Sequence, residues 1–98
     1  MTAALLQQSA ARDAQPPGGL TPELRALWLA KAGRWDDAHN IAQEIHTPDG
    51  SWIHALLHLI EGDTGNAGYW FARAGRTPRG THEIEAEWDR LAAHLCGA

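Results

Sequence analysis

Seven of the nine residues from Trp52 to Ile60 are apolar, and the two exceptions are histidines. On a helix turning about 100° per residue, Trp52, Ile53, Ala55, Leu56, Leu57, Leu59 and Ile60 fill one broad arc. His54, His58 and Glu61 occupy the narrow stripe that remains. An apolar arc that wide has to be covered on two sides, leaving one face free, so the rest of the chain must supply its covers. Strands are poor candidates: there is no valine, and no stretch alternates with a period of two. The expected class is therefore all-α.

The remaining helices follow from caps and breakers. Thr21-Pro22-Glu23 reads as a helix start, with a hydroxyl cap, proline at the first position and an early carboxylate; this helix should stop at Gly33. A second is expected from Trp35 to His46, ended by Pro48, with Asp49-Gly50-Ser51 capping the Trp52–Glu61 helix. Asp63 or Thr64 can cap the next, to about Ala74, with Ala67, Trp70, Phe71 and Ala74 on one side and Asn66, Tyr69 and Arg73 on the other. Thr81 is expected to cap the last, where Ile84, Trp88, Leu91 and Leu95 form an apolar stripe ending at Gly97. Residues 1–14 have helix propensity but no wide apolar face. Gln15-Pro16-Pro17-Gly18-Gly19 reads as a linker, which divides the chain into an N-terminal segment, 1–19, and one helical domain, 20–98. A chain of 98 residues buries a modest core, so its five tryptophans should carry much of the apolar area, with Trp35 the one most exposed.

Two stretches align without gaps at an offset of 29 residues: Leu27 to Ala38 and Leu56 to Ala67, with Gly33 over Gly62, Ala38 over Ala67 and Ile41 over Trp70. Gly33-Arg34-Trp35-Asp36-Asp37-Ala38 resembles the glycine–x–aromatic–x–x–alanine turn of tetratricopeptide repeats. The resemblance covers residues 21–75 and departs from the family at Thr64, where an aromatic belongs, and in its period, which is shorter than thirty-four. It implies five to six short helices stacked as antiparallel hairpins, a C-terminal capping helix and a concave surface for a protein or peptide. The run His54-Ala-Leu-Leu-His58-Leu-Ile-Glu61-Gly-Asp63, continued by Asn66-Ala67, Tyr69-Trp70-Phe71 and Arg73-Ala-Gly-Arg76, also resembles a family of short proteins without an assigned activity, and so implies no function.

The chemistry-bearing residues concentrate in this region. Histidines at i and i+4 with a carboxylate at i+7 share one helical face, where two imidazoles can converge on a divalent metal and Glu61 can add a third ligand. The bland alternative is a solvated stripe that happens to use histidine. His39, at the edge of the preceding helix's apolar face, is a further contributor. Asn66, Tyr69 and Arg73 share a face; Arg73 could bind a carboxylate by a forked pair of hydrogen bonds, or simply pair with Asp63 or Glu61. If the two helices form a hairpin, His54, His58, Glu61, Tyr69 and Arg73 border one groove suited to a polar ligand or a peptide terminus. The leading expectation is thus a non-enzymatic interaction module with a protein or peptide partner, self-association being one form this could take. The alternative is a small metal- or ligand-binding protein, with hydrolysis in reach, centred on His54, His58 and Glu61. No catalytic residue is assigned, and no phosphate-loop, dinucleotide or nucleophile-elbow motif occurs.

A net charge of −4 argues against binding nucleic acid by phosphate neutralisation. A lone cysteine, Cys96, gives no internal disulfide. The N-terminus lacks the pattern of a signal peptide, and no apolar run reaches membrane length. The expected location is the cytoplasm.

Overall fold

The computed structural model describes residues 1–97, which form six α-helices and no strand. They are α1 (Ala3–Arg12), α2 (Pro22–Lys31), α3 (Trp35–Ala42), α4 (Pro48–Ile60), α5 (Thr64–Arg73) and α6 (Ile84–Cys96), the last entered through a 3₁₀ turn at Thr81–Glu83.

Four of the helix starts use the side chain the sequence offers. Thr2, Thr21 and Thr47 each accept a hydrogen bond from the backbone N–H three residues on, and Asp63 does the same for Asn66. Two of those starts place proline at the first helical position, where its missing N–H costs nothing. Pro48 is therefore a start as well as a stop: α4 begins four residues before the expected Trp52, and α3 ends at Ala42 rather than His46. Thr81 does not cap α6. It opens the 3₁₀ turn, and Glu83 stands at the cap position with no side-chain bond to the helix.

The turns after α2 and α4 are built alike. Gly33 (φ +80°) and Gly62 (φ +84°) lie in the left-handed region that a β-carbon disfavours. Arg34 N–H donates to Leu29 O and Asp63 N–H to His58 O, closing the same six-residue loop back onto each helix. Five residues past each glycine, Ala38 and Ala67 are 0% and 1% exposed. The small side chain lets α3 close on α2, and α5 on α4.

α4 is the hub. It packs on α2, α3, α5 and α6, and every residue from Trp52 to Leu59 is buried. α2 is a second inner helix, covered by α1, α3, α4 and α6. α1 belongs to the same core: Leu6 is fully buried, and the Trp28 indole N–H donates to Ser9 Oγ, which in turn donates to Asp13. Three other indoles are anchored too. Trp35 donates to Leu57 O, Trp88 to Leu27 O and Trp52 to the buried carboxylate of Glu87. Each buried indole keeps its N–H paired, which avoids the penalty of an unsatisfied donor. Arg79 and Arg90 flank Glu87 and offset its charge.

The first turn of α4 leaves no room at Gly50. A β-carbon there would overlap the carbonyl oxygen of Ile45 and lie 2.8 Å from that residue's own Cβ. Because the obstacle is backbone, Gly50→Ala should cost about 1–3 kcal/mol despite alanine's better helix propensity. Urea unfolding checks this; an unchanged or raised midpoint would contradict the close approach.

Candidate functional site

Three imidazoles meet where α3 crosses α4. His54 and His58, one turn apart on α4, face His39, which projects from the middle of α3. One ring nitrogen from each lies within 4.8 Å of the other two, and Nε2 of His39 is 3.0 Å from Nε2 of His54. The His54 and His58 rings are stacked with centroids 4.9 Å apart, and His39 meets both edge-on.

Two indoles hold the group. Trp35, one turn before His39 on α3, stacks on it at 4.8 Å and 9°, while its own N–H is fixed on Leu57 O. Trp70 of α5 stacks on His54 at 3.9 Å and 9°. A carboxylate completes the arrangement: Glu61 Oε1 is 3.2 Å from Nδ1 of His58. This contact orients the ring and directs its other nitrogen away from the acid, the role a supporting carboxylate plays beside a metal-ligating histidine.

Burial governs the protonation of His54. His54 is 7% exposed, and desolvation lowers its pKa from 6.5 to about 4, helped by the charges that His39 and His58 can carry. Its imidazole is therefore neutral at pH 7. Above pH 6.5 the ring is neutral in the folded and unfolded chain alike. Between pH 6.5 and about 4, the unfolded chain takes a proton that the folded chain refuses, so stability falls with pH. The full difference corresponds to about 3 kcal/mol; water reaching the rim of the site screens this to about 1–2 kcal/mol. His54→Gln should lose correspondingly less stability than the unmodified protein between pH 7 and pH 4 in urea titrations. Parallel losses would show that His54 is not the responsible ring.

The polar stripe expected to lie free on α4 is thus mostly covered. His54 is buried between His39 of α3 and Trp70 of α5, His58 is buried against Trp35 and His39 of α3, and only Glu61 is exposed. The groups within ligating reach are His39–His54–His58 and His58–Glu61–Asp63, so Glu61 joins His58 but does not complete a set with His54. Tyr69 and Arg73 stand apart from the triad on the exposed side of α5. There the Arg73 guanidinium donates to Tyr69 Oη and lies 5.5 Å from the Trp70 ring centre. Asn66 is taken up by Asp63 at the start of α5.

A cleft of about 380 Å³ opens beside the triad, between the α3–α4 connection and α5. His54, Trp70 and Arg73 reach it; His58, Glu61 and Tyr69 do not line it. Sequence reasoning placed Trp70 on an apolar core stripe and overlooked His46 and Ser51, which also face the cleft. The available signal was a pair of matched i, i+4 spacings, Trp35/His39 and His54/His58, on consecutive helices. No helix is long and apolar enough to cross a membrane. No family model, no curated protein and no solved structure is significantly similar to the chain.

Proposed function

We propose that this protein binds a divalent transition-metal ion through His39, His54 and His58, with Glu61 orienting His58. The observation that carries the reading is the convergence of three imidazole nitrogens from two helices within 4.8 Å. A tetrahedral ion with metal–nitrogen distances of about 2.0–2.1 Å sets its ligand nitrogens about 3.3–3.4 Å apart. The 3.0 Å separation of His39 and His54 is within a few tenths of an ångström of that value, and the stacked His54 and His58 rings need a turn about their side-chain torsions to aim both nitrogens at one ion. Nitrogen donors without thiolate favour zinc, copper, nickel or cobalt over magnesium or calcium.

Three further features support the same reading. His54 is neutral at pH 7, as a metal ligand must be. The supporting carboxylate is in place on His58. The flanking indoles stack on His39 and His54 and fix those two rings. A set of three imidazoles also leaves one position of a tetrahedral ion for water or another ligand. α4 offers a peptide no exposed histidine stripe, since His54 and His58 are covered, so a partner-docking role finds less support at this place.

Metal content measured after purification without chelator or affinity resin, followed by equilibrium dialysis against zinc, tests the reading. One equivalent per chain is expected, falling below a tenth in His39→Gln, His54→Gln and His58→Gln. Zinc retained undiminished by all three folded variants would remove it.

A further inference from the structure

The cleft beside the histidines has a chemistry of its own. Among the described residues, no aspartate or glutamate lines it, although the chain as a whole carries a net charge of −4. Its polar wall carries Arg73, His46, Gln43 and Ser51, and its apolar wall includes Ile45 and the Trp70 ring. Arg73 is the only permanently charged group among these. Its guanidinium is held by Tyr69 Oη at 3.3 Å and lies 5.5 Å from the centre of the Trp70 ring. That ring is in turn stacked on His54. The fork is therefore held at the rim, with no carboxylate paired to it among the described residues.

We propose that this cleft binds a small organic carboxylate, with Arg73 taking the carboxylate and the Ile45–Trp70 side taking an apolar body. Arginine presents two parallel N–H donors that match a carboxylate's two oxygens. One fixed positive charge matches a monoanion better than a doubly charged phosphate, which would need a second permanent cation. Gln43 and Ser51 supply neutral hydrogen-bonding groups for substituents along the ligand. The first turn of α4, at Pro48, Gly50 and Ser51, borders the same space and adds the positive end of a thirteen-residue helix. The volume is at the small end of the roughly 300–1,000 Å³ usual for ligand sites, which suits a metabolite-sized acid rather than a folded partner.

This site does not depend on a metal, so it is tested with chelator present. The full-length ¹⁵N-labelled protein is titrated with butyrate, n-butylammonium and inorganic phosphate at constant ionic strength in the presence of EDTA. Saturable shifts of the Trp70 indole N–H and the Gly50 amide are expected with butyrate. Butylammonium should produce none, and phosphate should bind at least tenfold more weakly. Arg73→Gln, an exposed change with the fold checked by its spectrum, should weaken butyrate at least tenfold. The inference is overturned if butylammonium shifts the same signals equally, if phosphate binds as tightly as butyrate, or if Arg73→Gln binds butyrate unchanged. It is also overturned if butyrate binds only after zinc is added. Failure of the histidine site to take zinc leaves each of these outcomes unaffected.

Discussion

Zinc at a hundredfold excess over its Kd should raise the unfolding free energy by about 2.7 kcal/mol, because the ion binds the folded arrangement of three imidazoles and not the open chain. For a domain of this size each kcal/mol moves Tm by roughly 4–8 °C, so a rise of about 10–20 °C is expected in thermal unfolding followed by circular dichroism. The rise should vanish in His39→Gln, His54→Gln and His58→Gln, since each leaves two imidazoles where the ion needs three. Glu61→Gln should keep the site but weaken it by about 10–100-fold, the usual cost of removing a carboxylate that orients a ligating histidine. Calcium and magnesium, which prefer oxygen donors, should leave Tm unchanged. A zinc-induced rise of equal size in the triple histidine variant would place the ion elsewhere, with His94 and Asp49, 2.9 Å apart at the surface, the first place to look.

Trp28→Ala should be the most damaging single substitution in the core. Trp28 is fully buried on α2, and its indole N–H bonds to Ser9 of α1. Truncation removes the apolar contact, opens a large cavity and leaves the Ser9 hydroxyl with its bond to Asp13 alone, for a loss of about 3–5 kcal/mol. Domains of this size have total stabilities of about 5–15 kcal/mol, so the variant should lose a large share of its margin and melt at least about 10 °C lower. Trp28→Phe retains most of the apolar volume and should cost about 1–2 kcal/mol. Amide exchange in residues 3–12 should accelerate even in the phenylalanine variant, because the bond that ties α1 to α2 is lost. A change below 1 kcal/mol for Trp28→Ala would mean that α1 and α2 do not share a core as described.

The all-helical class and the centrality of α4 could be read from the chain because a helix apolar over most of its circumference has to be surrounded. The glycine turns were legible for a related reason: Gly33 and Gly62 adopt backbone angles that other residues avoid, and each is followed by an alanine small enough for close crossing. Pro48 misled because proline both forbids the interior of one helix and favours the first turn of the next. Thr47-Pro48 repeats the Thr21-Pro22 start that was recognised. At the candidate site, spacing alone put His54, His58 and Glu61 on one side of α4, but it carries no information about which neighbour covers that side. Here α3 supplies His39 and α5 supplies Trp70, so the two histidines are buried, and Glu61 groups with His58 and Asp63 and not with His54. Trp70 packs against the core, as a tryptophan on an apolar stripe does; its flat contact with an imidazole depends on the packing of two helices and has no mark in the local sequence.

X-ray absorption at the zinc edge of the zinc-loaded protein tests the histidine site most directly. Three imidazole nitrogens at about 2.0–2.1 Å, with one further oxygen or nitrogen neighbour, are expected, and the imidazole count should drop in His39→Gln. A first shell of oxygens with one imidazole or none, unchanged in that variant, would contradict it.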